Sequence, residues 1–459
     1  MGIEYEGGRP GWNDAMNGLP GMVGSGMPET FELEIMLEFL LQAVSKYNRR
    51  LTVPVELKTL IEAITKSMKT LQETDEIQDI SEFTTTVPDY LFQYWDEVAT
   101  ARETYRETIR LGFSGETHEL TPEDLQLILE SWLSEIEKGK ARAMTVGTLG
   151  DDDDGTFGIM PTYFSFNVTK WIKTGKESEG GDDLVLPLAM EVGTFPMFLE
   201  GPVRMMKAGD REEALDIYEK VRHSPLRDEG LGMYKISASL KGQSLEMGRM
   251  MAFSSGWLEN ESVWLHMSYK YYLEMLRQGM FADFFNEMKS GGMLPFMDSE
   301  VYGRSPMECS SFIASSALED PAMHGRGFMA RLSGSTAEFL SMWALMFIGP
   351  EPFFVNEKTG ELRMQLLPAL PFWLFQRDDG GAVVDGDQPL SVSFKLFGMI
   401  QVTYYNVVEQ DLFRVPPSRY VIGLRDGSIT DVDGSTIPQA LADKLRRVVF
   451  ADYIDVYFE

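Results

Sequence analysis

Residues 28–44, PETFELEIMLEFLLQAV, have the pattern of an amphipathic helix. Pro28 suits the first turn, because the N–H that proline lacks has no partner there in any helix. Apolar side chains then recur every three or four positions, at Phe31, Ile35, Met36, Phe39, Leu40 and Val44. The pattern predicts a helix that buries one face.

Helical periodicity continues along much of the chain. Before residue 140 it covers 51–71, 87–111 and 121–138, and the last of these opens with Thr121 as a cap and Pro122 at the first helical position. Later helices are predicted at 211–221, 261–285, 306–318 and 335–347. Paired helices with long loops at one end favour an α/α toroid, in which the loops build a site at one mouth.

Two regions have the character of strands instead. Residues 158–168, GIMPTYFSFNV, alternate in part between apolar and polar side chains, which predicts a β-rich insertion near 155–200. After Pro350 the segments are short and rich in β-branched and aromatic residues, with turn residues between them. We therefore expect a mainly α catalytic portion over 1–350 that carries this insertion, followed by a small β-module over 351–459.

The composition is globular and strongly acidic. The 459 residues include 41 basic and 71 acidic side chains, a formal charge of −30. Such a surface repels nucleic-acid phosphates and anionic lipid headgroups, so neither nucleic acid nor a membrane is an expected partner. The single cysteine, Cys309, rules out an intrachain disulfide. The N-terminus has no signal peptide and no apolar run is long enough for a bilayer, so a cytoplasmic location is expected.

A glycine-rich loop at 7–18, GGRPGWNDAMNG, has residues suited to a carbohydrate site. Its glycines let the backbone approach a ligand closely, and the face of Trp12 can stack on the C–H groups of a sugar ring. Beside that indole, Asp14 is expected in a poorly hydrated place, where a raised pKa would keep a proton on its carboxyl for a leaving oxygen. The alternative is structural, with Asp14 as a helix cap and Trp12 in the core.

Later segments contain further candidates, each with a structural alternative. His266 follows the polar run Glu259–Ser262 at a helix start, where taken alone it is expected to lie on a helix face. Glu308 precedes an apolar segment, where it can accept hydrogen bonds from sugar hydroxyls or stabilise a helix N-terminus by its charge. The neighbouring Cys309 lacks a general base, so we expect a small buried residue rather than a nucleophile.

Ser333 and Gly334 open a predicted helix with a hydroxyl and a glycine amide. This combination binds anions, because free N–H groups and the helix dipole both favour negative charge. The Gly-Lys-Ser/Thr ending of a P-loop is absent from the run. A capped helix without a ligand explains the same residues.

In their order and separation these segments resemble the catalytic half of the glycoside phosphorylases of glycoside hydrolase family 94, the cellobiose and chitobiose phosphorylase group. Trp12-Asn13-Asp14 matches the family's Trp-Asn-Asp motif, and ENESVWLH at 259–266 matches both ends of its Glu-Asn-Gly-Gly-x-Tyr-Thr-His segment. Glu308 stands at the family's Glu-Pro-Tyr segment, and SGST at 333–336 resembles its Thr-Gly-Ser-Ala run.

The resemblance implies an incomplete (α/α)6 toroid that cleaves a glucosidic bond of an oligosaccharide with inversion. Asp14 would be the general acid, and inorganic phosphate would attack the anomeric carbon as a co-substrate. The residues that would surround the sugar are Trp12, Asn13 and Glu308. Those that would hold phosphate are His266, Ser333 and Gly334. The resemblance implies neither a further cofactor nor a metal.

Family members carry a β-sandwich, a linker and the first barrel helices before the Trp-Asn-Asp loop. The resemblance therefore implies that the chain is the C-terminal part of a longer protein, or that it works with a missing N-terminal half or as a homodimer. Two other functions stay open. One is an inverting glycoside hydrolase on the same fold, which needs a second carboxylate, Glu308 or Glu338, across the site from Asp14. The other is an inactive chain that binds carbohydrate or a partner chain.

Overall fold

The fold is mixed α/β in the computed structural model, which describes residues 1–6, 11–75, 85–148, 158–293, 297–329, 333–376, 390–447 and 450–459. Helices account for 44% of these residues and strands for 24%. The α-helices are α1 (Met27–Tyr47), α2 (Val55–Asp75), α3 (Asp89–Ile109), α4 (Pro122–Thr148), α5 (Glu200–Ala208), α6 (Arg211–Arg222), α7 (Leu265–Arg277), α8 (Phe281–Glu287), α9 (Ser299–Tyr302), α10 (Ser333–Phe347) and α11 (Gln439–Arg447).

Many of the strands are only two or three residues long. The strands are β1 (Ile3–Glu4), β2 (Ser25–Gly26), β3 (Leu51–Pro54), β4 (Thr117–Leu120), β5 (Tyr163–Glu177), β6 (Asp183–Thr194), β7 (Arg227–Asp228), β8 (Met233–Tyr234), β9 (Val263–Trp264), β10 (Phe312–Ile313), β11 (Gly327–Phe328), β12 (Phe353–Val355), β13 (Leu362–Met364), β14 (Ala369–Leu370), β15 (Leu390–Leu396), β16 (Ile400–Asn406), β17 (Leu412–Phe413), β18 (Arg419–Leu424), β19 (Ile429–Asp433) and β20 (Ala451–Phe458).

The expectation of a mainly α fold, an incomplete (α/α)6 toroid, is wrong. Periodicity predicts a helix from residue 51, yet residues 51–54 form β3, which pairs with β4. It also predicts a helix over 306–318, yet residues 312–313 form β10, the central strand between β9 and β11. Periodicity reports on one segment alone, whereas a strand is stabilised by partners far along the chain.

Two compact units make up the chain. The first unit comprises Met1–Tyr271, Asp298–Ser305 and Ser310–Met329. The second comprises Tyr272–Met297, Pro306–Cys309 and Ala330–Glu459.

In the first unit, helices α1 and α4 pack over a sheet with strand order β1-β2-β5-β6. The shared core takes Phe31 from α1, Val146 from α4, Phe164 from β5 and Val192 from β6. β5 and β6 form an antiparallel hairpin in the region where the sequence predicts a β-rich insertion.

Helix α1 confirms the helix predicted for residues 28–44 and extends it by one residue before and three after. The predicted buried face is wrong, because Met36, Phe39 and Leu40 are exposed whereas Phe31, Glu34 and Leu37 are buried.

A second core of the first unit gathers loops rather than regular elements. Its fully buried side chains include Met16 and Leu19 from the loop after residue 10, and Met247 and Met250 from a loop over 200 residues later. Tyr163 at the start of β5 packs among them. This core therefore fixes two distant loops against one another.

The second unit contains a five-stranded sheet with strand order β15-β16-β20-β18-β19, in which β16 and β20 run parallel. Helix α10 packs on it through the rings of Trp343 and Phe347, which contact Phe394 of β15. Strands predicted from the sequence after residue 350 are confirmed here, including β15, β16, β18 and β20.

Within the described ranges, none of the helices combines the length and the apolar character that crossing a bilayer requires.

Candidate functional site

The loop that contains Asp14 is held by its buried neighbours. Asn13, only 2% exposed, caps a 3₁₀ helix at Asp14–Met16 by accepting a hydrogen bond from the N–H of Ala15. Ala15 and Met16 are fully buried, whereas the Asp14 side chain is 66% exposed. The cap is therefore Asn13 rather than Asp14, and the expectation that Asp14 lies in a poorly hydrated place is wrong. Residues 7–10 of the predicted loop lie outside the described residues.

A second loop, 244–252, is joined to the first through its backbone. The N–H of Gly18 donates to the carbonyl of Met247 at 3.1 Å, and the N–H of Arg249 donates to Oδ1 of Asn17 at 3.1 Å. A Cβ added to Gly18 would lie 1.6 Å from the carbonyl oxygen of Glu246, so only glycine permits this approach. The contact sets the distance between Asp14 and Arg249.

Asp14 and Arg249 form an ion pair at the surface of the first unit. Nη2 of Arg249 donates to Oδ1 of Asp14 at 2.7 Å. This hydrogen bond raises the pKa of the Arg249 guanidinium, and the charges of Asp14 and Glu259 raise it further. A third group, Glu259, therefore belongs to the same electrostatic cluster.

Glu259 is the buried carboxyl of the cluster, at 8% exposure. Burial raises its pKa to about 7, the charge of Asp14 also raises it, and Arg249 lowers it. Its backbone lies between two non-glycine residues with positive φ, Leu258 at 51° and Glu261 at 54°. Such conformations are uncommon and concentrate at functional sites, where surrounding contacts hold them.

The turn that contains Glu259 is anchored on both sides. The carbonyl of Asn260 accepts from the N–H of Gly256 at 2.9 Å, and its side chain donates to the carbonyl of Phe253 at 2.8 Å. The Trp257 ring packs edge-on against Phe312 and Phe328, with centroids 4.9 and 4.5 Å apart. These contacts fix the turn and therefore the position of the Glu259 backbone.

A contact between Trp12 and His266 brings the 7–18 loop and the 259–266 segment together. Their ring centroids are 5.6 Å apart with an interplanar angle of 63°. His266 is the second residue of α7, and both side chains are half-buried. The first unit thus combines an aromatic ring, an imidazole, two carboxyl groups and a guanidinium.

In the second unit Cys309, next to Glu308, contacts the first turn of α10. Burial raises the pKa of the Cys309 thiol, while hydrogen bonds from the hydroxyls of Thr336 and Ser335 lower it. Glu308 therefore lies one residue from a contact with the first turn of α10, the helix that Ser333 and Gly334 open. That Ser333 and Gly334 bind phosphate stays a prediction.

Two members of the cluster were not singled out from the sequence as functional. Arg249 is a lone cation among Met247, Met250 and Met251, which is the signal that it has a specific partner. Glu259 stands in the motif of His266 but has no local sign of burial. For metal binding, the described ranges contain no group of three or more His, Cys, Asp or Glu side chains arranged to hold an ion.

No protein-family model matches the chain, and no curated protein matches it in sequence.

Proposed function

We propose that the chain cleaves a glucosidic bond of an oligosaccharide with inversion, with inorganic phosphate as the nucleophile and a proton from the carboxyl pair Asp14 and Glu259. The observation that carries the proposal is the Asp14–Arg249 ion pair with the Glu259 carboxyl buried in the same cluster. Glycosidic cleavage needs a proton for the leaving oxygen. The pKa of Glu259, about 7, makes one available at neutral pH.

The two carboxyl groups have different positions and so different tasks. Glu259 is buried and holds the proton, whereas the exposed Asp14 is the member that a sugar can contact. In this proposal the proton held by Glu259 reaches the leaving oxygen through Asp14.

Phosphate needs positive charge and N–H donors, and Arg249 supplies both. Attack with inversion requires the phosphate to lie across the sugar ring from the Asp14 carboxyl. His266 would add a ring N–H and Trp12 a sugar face.

Product analysis tests the proposal directly. We would incubate the protein with cello- and chito-oligosaccharides, with and without inorganic phosphate, and follow products by ³¹P and ¹H NMR. The expected product is a sugar 1-phosphate of inverted anomeric configuration, formed only with phosphate. Glu246→Gln is the matched control, because this exposed carboxylate lies on the Arg249 loop but outside the cluster. Turnover that does not depend on phosphate would overturn the phosphorylase proposal.

Inverting hydrolysis is the second candidate, and Glu259 favours it. A hydrolase needs a second carboxyl to activate water, and Glu259 shares a cluster with Asp14. Glu308 and Glu338, the candidates from the sequence, belong to the second unit. Release of free sugar at the same rate with and without phosphate, abolished by both Asp14→Asn and Glu259→Gln, would establish hydrolysis instead.

A further inference from the structure

Helices α1 to α4 of the first unit pack as two pairs with a cavity between them. α1 lies along α4 and α2 along α3, whereas α2 meets α4 at few positions. Apolar side chains line the cavity from three of the helices, including Leu37 of α1, Met68 of α2 and Ile136 of α4. Its volume is about 360 Å³, within the range of about 300–1,000 Å³ that is usual for small-molecule sites. This cavity is called the chamber below.

A glycine of α4 lies in the wall of the chamber. Gly139 is buried, yet an added Cβ would meet no atom of the described residues within 4 Å beyond its own stretch of helix. Buried positions in close-packed cores leave no such room, because few voids there are larger than a water molecule. Gly139 follows Ile136 by three residues and so lies on the same face of α4. This face therefore borders the chamber rather than another helix.

Two polar atoms of the chamber wall lack a hydrogen-bond partner within the described ranges. They are the donor Nε1 of Trp132 and the acceptor Oε2 of Glu135, and both atoms are buried. The two residues are three positions apart on α4, so their side chains are neighbours on the face that includes Gly139. Buried polar atoms in native proteins are almost always bonded to protein, water or a ligand. A polar group held between these two atoms would satisfy both.

The charged side chains that line the chamber balance each other. Oε1 of Glu135 accepts a hydrogen bond from Nη2 of Arg142, and these side chains are only 11% and 6% exposed. Tyr94 also lines the chamber, and burial raises the pKa of its phenol to about 12; the charge of Glu135 adds to this shift and Arg142 opposes it. The phenol is therefore neutral at pH 7. Because burying an unbalanced charge is costly, the chamber favours a neutral ligand over an ion.

The unpartnered donor and acceptor select the polar group of that ligand. A hydroxyl donates its hydrogen to Oε2 of Glu135 and accepts from Nε1 of Trp132 through its oxygen. An ammonium group can donate but has no lone pair with which to accept. A carboxylate can accept from the indole but is repelled by the carboxylate of Glu135. A hydroxyl therefore fits both atoms, whereas either ion fits one of them.

We propose that the chamber binds a small apolar molecule that carries a hydroxyl group, with Trp132 and Glu135 as the hydrogen-bond partners of that hydroxyl. The apolar body lies along α4 from Ile136 to Gly139 and covers the side chains that face it from α1 and α2. Removal of this apolar surface from water drives binding, and the hydroxyl fixes the orientation. The site goes beyond the proposed cleavage reaction and uses none of its residues.

Three probes with the same hydrocarbon chain and different head groups test the ligand class. We would titrate the full chain with 1-octanol, octanoate and octylammonium by isothermal titration calorimetry. The dissociation constant of octanol should be at least about tenfold lower than that of either ion, because each ion loses one hydrogen bond and buries an unbalanced charge. An ion that binds as tightly as octanol would refute the assignment of a hydroxyl. The absence of saturable octanol binding would refute the chamber as a ligand site.

Gly139→Phe tests whether octanol binds in the chamber. The added ring occupies the space beside α4 and should raise the dissociation constant of octanol at least about tenfold, since a close-packed site has no room for both. Gly139→Ala is the matched control, because its methyl group meets no atom of the described residues outside its own helix and leaves most of the chamber open. Circular dichroism and thermal melts check that both variants fold. Unchanged octanol binding by folded Gly139→Phe would place the probe at another site and refute the proposal.

Trp132→Phe tests the hydrogen bond and does not depend on filling the chamber. It removes the N–H donor but keeps an aromatic ring, so the dissociation constant of octanol should rise by about threefold to tenfold. Trp171→Phe, at a tryptophan that is 54% exposed on β5, is the matched control and should leave the dissociation constant unchanged. Equal affinity of Trp132→Phe and the wild type for octanol would refute Trp132 as a partner of the hydroxyl.

Discussion

Nη2 of Arg249 donates a hydrogen bond of 2.7 Å to Oδ1 of Asp14, across 235 residues of chain. The side chains are 51% and 66% exposed, so their pairing adds little to the stability of the fold. The pair matters for the geometry of the site rather than for stability. The hydrogen bond between Gly18 and Met247 holds the two loops together, and Glu259 lies in the same electrostatic cluster. Substitutions here should therefore change activity more than stability.

Asp14→Asn is the first such substitution. It removes the carboxyl that contacts the sugar, so kcat/KM for the cleavage reaction should fall by about 10²- to 10⁴-fold. The free energy of unfolding should change by less than about 1 kcal/mol, because an exposed ion pair is lost. Steady-state kinetics and urea denaturation measure the two effects. An Asp14→Asn chain that unfolds readily, yet retains full activity per folded molecule, would make Asp14 a structural residue.

Glu259→Gln should change how stability depends on pH. The pKa of Glu259 is about 7 in the folded chain against an ordinary 4.5, so between these values the folded state keeps a proton that the unfolded state releases. The contribution of Glu259 to the free energy of unfolding therefore falls as pH rises through this window and levels off above it. Glutamine cannot ionise and lacks this contribution.

The difference between Glu259→Gln and wild type should grow in favour of the variant by about 1–3 kcal/mol from pH 4.5 to 8. Urea denaturation at several pH values measures it. Glu200, which is 2% exposed with a pKa of about 7, contributes a similar slope to both proteins and cancels in the comparison. Glu246→Gln should show no such pH-dependent difference, and a flat difference for Glu259→Gln would contradict its burial as a proton-holding group.

Gly18→Ala should separate the two loops of the site. Its Cβ would meet the carbonyl oxygen of Glu246 at 1.6 Å, a backbone atom that cannot rotate away. We expect a loss of at least about 2 kcal/mol in the free energy of unfolding, together with loss of activity. Gly21→Ala is the matched control three residues on, because no atom lies within 4 Å of its added Cβ. Equal stability of the two variants would show that the loops do not depend on this contact.

The sequence predicts the elements whose structure is determined by the residues of one short segment. The extent of helix α1 follows from apolar spacing, although its buried face does not, and the short β-branched and aromatic segments after residue 350 predict strands of the second unit. The toroid fails because β3 and β10 are strands only by virtue of partners at residues 117–120, 263–264 and 327–328. The residues of a short segment do not indicate which distant strand will pair with it.

The same distinction explains the outcome at the site. Gly-rich sequence and an aromatic residue beside a carboxylate indicated the Asp14 loop, and order along the chain related it to His266, whose ring contacts Trp12. Arg249 and Glu259 could be identified only from the structure, because their roles arise from burial and from charges that loop packing brings together. The sequence could suggest a desolvated acid but assigned it to Asp14 rather than to Glu259.

Cys309 is the single thiol of the chain and reports on the first turn of α10. Burial raises its pKa, so little thiolate is present at pH 7 and alkylation by iodoacetamide should be slow in the folded chain. Thr336→Val removes a hydrogen bond that lowers this pKa and should slow alkylation further. If phosphate binds at Ser333 and Gly334, its charge should also disfavour the nearby thiolate. The folded chain should then be alkylated more slowly in phosphate than in chloride of equal ionic strength, while the urea-unfolded chain reacts equally in both; equal rates for the folded chain would remove these residues from the proposed phosphate site.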